Sequence, residues 1–252
     1  MSVSVSTAAE SAELLASVGP TAPPNRFVDA RRSAGMDATL ADVEARADEH
    51  VEAYRETAPF YPVEAEAVES LGDAFRAGDY GRRDVEWVVR WYFRRRVGAT
   101  DHAERRAVEE AVEGTEPREL RGALWDAIDA LDEADAASDA DAADSGGDAD
   151  AAEPAHHRAL DAFTGIPGVD VAVASALLWF LEPDRFPVVG DREWRVVAAL
   201  TDLDEGYPDP MTPDAYDRYR DAARTLSGRL GVDGWRLYMV LQRVYAEEFD
   251  GD

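Results

Sequence analysis

Eight arginines lie between Arg82 and Arg106 against four acidic residues, a local surplus of positive charge in a chain whose formal net charge is −27. A guanidinium grips a phosphate through a planar fork. Arg90 and Arg94 fall four residues apart on one helical face, so this stretch is either a phosphate-backbone surface or a set of internal salt bridges to the abundant carboxylates. A second feature with chemical potential is the turn Gly165-Ile166-Pro167-Gly168-Val169. Its glycines would leave the backbone amides at the start of the next helix open to an anion. Other chemistries are closed off. There is no cysteine, hence no disulfide, no thiolate nucleophile and no cysteine-held iron–sulfur cluster. Of the four histidines, His156 and His157 are adjacent rather than three or four apart on a helix face, and no metal site or other cofactor is expected.

The elements that must position these residues all read as helical. Before the turn, Ala159, Leu160 and Phe163 sit at helical spacing; after it, Val171, Ala174, Leu178 and Leu181 continue one apolar face. The turn itself cannot be helical, because Pro167 fixes its own φ and biases its predecessor towards extended backbone, and Gly165 and Gly168 tolerate positive φ. Asp170 is suited to cap the second helix. Upstream, a helix is expected over Leu40–Thr57, a break at Ala58-Pro59-Phe60-Tyr61-Pro62, and a further helix through Leu71 and Phe75. Phe60 and Tyr61 either plug a core edge or stack on a base. The arginine-bearing helix opens at Asp84 as N-cap, buries Val85, Val88, Val89 and Tyr92, and can pair Glu86 with Arg90. Trp87 and Trp91 are assigned to the core. Shorter patterns follow around Val108 and Val112, from Pro117 to Leu131, and around Trp194, Val197 and Leu200. Thr212-Pro213-Asp214 starts a helix that stops at Gly231, and Asp233 starts the last, with Leu237, Val240, Leu241 and Val244 as its buried stripe.

The hairpin Gly165-Ile166-Pro167-Gly168-Val169 followed by a small-residue helix resembles the helix-hairpin-helix of the DNA glycosylase superfamily. Ala174-Ser175-Ala176-Leu177-Leu178, Pro183-Asp184-Arg185-Phe186-Pro187 and Gly190-Asp191 are similar to uncharacterised proteins built on an 8-oxoguanine-glycosylase-like fold. The Trp-containing stretch from Val85 to Trp91 resembles a helix in their first half. The resemblance touches residues 80–245 unevenly. It implies a duplex DNA partner, phosphate contacts from Gly165, Pro167, Gly168 and Val169, and a base flipped into a cleft. A carboxylate beyond the hairpin would there support base loss. Asp191 is the candidate for that role, with Arg195 one turn later at the same opening; Asp191 can equally cap a helix. Two departures are plain. Asp170 replaces the hairpin's second glycine, and Ala172 stands where bifunctional members carry a Schiff-base lysine. With no lysine anywhere, lysine-dependent strand cleavage is excluded. The functional expectation is a DNA-binding repair-type protein, at most a monofunctional N-glycosylase; the alternative is a non-catalytic helical module that contacts DNA or protein.

Composition supplies the rest. An apolar fraction of 46% over 252 residues supports a substantial core. All 26 basic residues are arginine, and an acidic surface of this density points to a halophile's cytosol, where molar salt shortens the Debye length to about 3 Å. No stretch is apolar over 18 residues, and Met1–Pro24 lacks the basic start and apolar centre of a signal peptide, so the expectation is a cytoplasmic protein without a membrane partner. The organisation expected is all-α with two helical lobes: an N-terminal arm at 1–24, a helical lobe at 25–131, a disordered acidic linker at 132–153 and the hairpin-bearing lobe at 154–252. The linker assignment rests on nine acidic and no basic residues.

Overall fold

A computed structural model describes residues 36–95, 102–143 and 154–250. The expected arm at 1–24 lies outside the described residues. Those described form eleven α-helices and no strand, an all-α fold. In chain order they are α1 (Leu40–Ala45), α2 (Ala47–Thr57), α3 (Tyr61–Ala77), α4 (Arg82–Arg94), α5 (His102–Gly114), α6 (Pro117–Ala143), α7 (Ala155–Thr164), α8 (Val171–Leu181), α9 (Asp191–Leu200), α10 (Pro213–Leu230) and α11 (Gly234–Glu248). None is long and apolar enough to cross a membrane.

Helix α8 is the centre. Its sequence VAVASALLWFL is apolar all round, and every residue from Ala172 to Leu181 is buried. A helix without a polar face must be covered on every side; α7, α4 and α3 pack against it. The end of α8 meets an aromatic layer in which Trp91 stacks on Trp179 with ring centroids 5.0 Å apart. Phe180, Trp235 and Tyr238 complete that layer. Trp91 is therefore core, as expected, and Trp87 is half-buried against Phe180.

Several helix boundaries follow their sequence signals. Thr212 caps α10 by accepting from Ala215 N at 3.2 Å, Asp233 caps α11 by accepting from Arg236 N at 2.7 Å, and Asp170 caps α8 by accepting from Val173 N at 2.8 Å. Others differ. The helix expected over Leu40–Thr57 breaks at Arg46 into α1 and α2. Asp84 is the third residue of α4 rather than its N-cap, and its carboxylate accepts from the amide of Gly81 at 2.7 Å.

One larger expectation is corrected. The tract from Asp132 to Ala143, expected to be disordered, continues α6; residues 144–153 lie outside the described residues. Alanine carries high helix propensity, and the carboxylates at its start find cations: Asp132 pairs with Arg76 at 2.8 Å, Glu133 with Arg158 at 2.9 Å and Asp135 with Arg185 at 2.9 Å. The helices before and after this tract also pack against one another. One apolar core runs from Met36 to Val244, with α1 packed against α10, α2 against α11 and α6 against α7. An apolar stripe on a short helix is buried wherever a matching one is nearest, irrespective of chain order.

Two tests follow from this packing. A Cβ added at Gly234 would stand 2.0 Å from the carbonyl oxygen of Pro183, so Gly234→Ala should cost about 2 kcal/mol or more in denaturant unfolding. A wild-type midpoint in that variant would show that α11 does not approach the 183–184 turn. His50 is buried, and burial lowers its pKa below 6.5 although Glu247 raises it. The folded state then binds fewer protons than the unfolded one. This contribution is complete above pH 6.5 and is lost as pH falls through that value towards the lowered folded pKa. His50→Gln should weaken the fall in melting temperature on acidification across this window; an unchanged pH dependence would contradict the assignment.

Candidate nucleic-acid interface

The connection between α8 and α9 is built without regular backbone pairing. Tyr216 donates its hydroxyl to Pro187 O at 3.1 Å, Tyr219 to Val188 O at 2.9 Å and Tyr92 to Val189 O at 3.1 Å. Ser175 Oγ accepts from Val189 N at 3.0 Å. Buried backbone carbonyls left without partners are costly, and hydroxyls from α10, α4 and α8 satisfy this segment while clamping it. Its rigidity sets the start of α9. Gly190 is the N-cap and Asp191, half-buried, is the first helical residue, where its charge complements the helix dipole.

Directly beneath lies a buried ion pair. Glu193 of α9 bonds to the Arg95 guanidinium and accepts from Gln242 Nε2. Arg95 also donates to Val189 O at 3.3 Å and lies over the Tyr92 ring at 4.5 Å and the Trp91 ring at 5.4 Å. Burial pulls the Arg95 pKa down, but the Glu193 carboxylate together with Tyr238, Tyr92 and Tyr219 outweighs it and the net shift is upward; the cation is permanent. Arg95 Nε and Glu193 Oε2 have no hydrogen-bond partner, and the same holds for Arg192 Nε.

Arg95 and Arg192 border a cavity of about 230 Å3, together with Arg94, Phe60, Tyr54, Glu64, Tyr238 and Gln242. Sites for drug-sized ligands run to roughly 300–1,000 Å3, so this one suits a single planar ring system or a small anion. Phe60 is 43% exposed at its edge. Tyr61, in contrast, stacks on Trp235 and belongs to the core. Inside, the buried Glu64 accepts from Tyr54 Oη at 2.7 Å and Trp91 Nε1 at 2.8 Å. Burial raises its pKa, opposed by those two hydrogen bonds and by Arg95. The cavity therefore combines three guanidiniums, an exposed aromatic ring and one carboxyl that resists ionisation.

The residues expected from sequence divide between several places. Arg94 is exposed and lines this cavity, and Asp191 immediately precedes Arg192, which also lines it. Glu64, not Asp191, is the acidic residue among the cavity's described lining. Arg90 is held by Glu86 at 2.9 Å, as its spacing implied, and Arg82 by the same carboxylate at 2.7 Å. Arg195 is exposed and lies 4.1 Å over the Phe249 ring. In the hairpin turn, Gly168 has φ +83°, Ile166 and Val169 are buried, and Gly165, Pro167 and Gly168 are exposed. Helix α5 comes close: a Cβ at Gly168 would stand 3.2 Å from Ala111 Cβ. A second cavity, lined by Gly165 and Pro167, contains Glu119 and Asp126 and, among its described lining, no arginine. The turn thus faces carboxylates, whereas the guanidiniums gather at the end of α4 and the start of α9.

Glu64, Arg95, Arg192, Tyr238 and Gln242 are not distinguished by sequence. The run Arg94-Arg95-Arg96 signals a charge concentration but not that its middle member turns inward, and Glu64 lies among other acidic residues of α3. No family model matches the chain, and neither a curated protein nor a solved structure matches it.

Removing one partner of a buried ion pair leaves an uncompensated charge and costs about 3–5 kcal/mol, while replacing both with apolar side chains is often tolerated. Arg95→Met alone should therefore destabilise strongly, and Arg95→Met with Glu193→Met should recover most of the loss. Additive losses in chemical denaturation would show that the two charges are independently satisfied.

Proposed function

We propose that this chain is a DNA-binding, repair-type protein that receives an extruded base in the cavity between α3, α4, α9 and α11. The observation that carries the reading is the convergence of Arg94, Arg95 and Arg192 on a cavity of about 230 Å3, in a chain of net charge −27. Arg94 is exposed and Arg192 half-buried, so both can offer guanidinium N–H groups to a ligand rich in acceptors. Phe60 offers a ring face for stacking, worth roughly 1–3 kcal/mol per base. Arg94, at the exposed edge, is placed to take a backbone phosphate.

The hairpin's acidic surroundings weaken its claim as the main phosphate dock, and the reading assigns that role to the α4 and α9 ends. Catalysis, where it occurs, is monofunctional: Asp191 stabilises a cationic sugar or activates water, and with no lysine the product is an intact abasic strand. The alternative of a non-catalytic module draws support from the aromatic filling of the core around Trp91, Trp179 and Tyr238, which leaves room for one ring and little more.

The test is anisotropy and base release on duplexes carrying different lesions and an abasic analogue, in molar potassium chloride to suit an acidic, halophile-like protein. Replacing both Arg94 and Arg192 by glutamine should weaken binding about 100-fold, two charge-assisted hydrogen bonds being lost. Asp191→Asn should abolish base release and leave affinity intact. No binding by the wild type would overturn the reading. Binding without base release on any duplex would assign the chain to the non-catalytic class.

A further inference from the structure

His156 and His157, adjacent at the start of α7, both reach Asp217 of α10, 61 and 60 residues away. The His157 Nε2 stands 2.7 Å from Asp217 Oδ2, and the His156 Nε2 bonds to Oδ1 of the same carboxylate. All three donor atoms lie within 4.8 Å of one another. Successive helical residues project about 100° apart, so two neighbouring imidazoles meet on one point only when a third element supplies it from outside. Asp217 does so. The two rings stand edge to face with centroids 4.8 Å apart, and the side chains are 10% and 14% exposed.

We propose that His156, His157 and Asp217 form a three-ligand site for a divalent transition metal of the zinc class. Two imidazole nitrogens and one carboxylate oxygen make a borderline donor set, suited to Zn2+, Co2+ and Ni2+ rather than to Mg2+ or Ca2+. The chain holds no cysteine to compete. Each imidazole Nε2–H donates to the Asp217 carboxylate, and moving that proton to Nδ1 frees the Nε2 lone pair for a metal. Binding would replace two imidazole hydrogen bonds with coordination at about 2.0–2.2 Å and leave a fourth position for water.

One neighbour opposes the site: Arg220 Nη2 stands 3.9 Å from Asp217 Oδ1 and 3.6 Å from Asp221 Oδ1. The metal must share Asp217 with this cation, which sets a moderate affinity. Its consequence is structural, since occupancy would pin the start of the first hairpin helix to α10, independently of any DNA reading.

The experiment uses the full chain, stripped with a chelator and titrated with Co2+ in molar potassium chloride, which suppresses loose binding to surface carboxylates. One equivalent should produce the visible absorption of a low-coordinate cobalt site, and Zn2+ should remove it while raising the melting temperature. Asp217→Asn and His157→Gln should each weaken binding at least about tenfold, and Arg220→Gln should tighten it. The cobalt spectrum is read on wild type and does not depend on the variants folding. Absence of saturable one-equivalent binding, or full binding by His157→Gln, would overturn the proposal and leave the cluster a hydrogen-bonded clasp between α7 and α10.

Discussion

The burial of α8 on all sides is the constraint from which the rest of the architecture follows. Eleven residues without a charge, running from Val171 to Leu181, cannot meet water along any face, so helices distant in sequence must be recruited to cover them. Helix α3 comes close enough that a Cβ at Gly72 would stand 2.9 Å from Leu181 O. Helix α4 contributes Trp91 and α11 contributes Tyr238, both against Trp179. Because these covering helices come from both halves of the chain, the core is continuous, and the stretch from Asp132 to Ala143 becomes part of a helix braced by arginines.

Charge is distributed on two scales. At the surface, carboxylates predominate and their pairings are exposed, each contributing little. Inside, a few polar groups are bonded to buried neighbours: Glu193 to Arg95 and Gln242, and Glu64 to the Tyr54 hydroxyl and Trp91 indole. Both lie beside the same cavity, and both are held by neighbours whose own positions the aromatic layer fixes. A cavity lined by permanent guanidiniums and a carboxyl that resists ionisation is electrostatically distinct from the rest of this molecule, where negative charge prevails.

The clamped segment from Pro187 to Gly190 links these features. Hydroxyls from three helices hold its carbonyls and amide, so the entry to α9 has little freedom, and Asp191, Arg192 and Glu193 emerge in a defined order: half-buried at the helix start, at the cavity wall, and in the core. Neighbouring residues separate into different environments because successive helical side chains diverge by about 100°.

Local signals in the sequence determined the helical class, the caps at Thr212, Asp233 and Asp170, the hairpin turn with its left-handed Gly168, and the Glu86–Arg90 pair. Each depends on residues within a few positions, where backbone preference and short-range hydrogen bonds decide the outcome. Only the tertiary structure decided that Asp132–Ala143 is helical, because the arginines bracing its first turn come from α3, α7 and the 182–190 connection. It also decided that Arg95 turns inward while Arg94 stays out, that Glu64 rather than Asp191 supplies the cavity's carboxyl, and that His156 and His157 share Asp217. In each of these the deciding partner lies tens of residues away, and the energy of burying or pairing a charge depends on that partner's position in space, which no local pattern encodes.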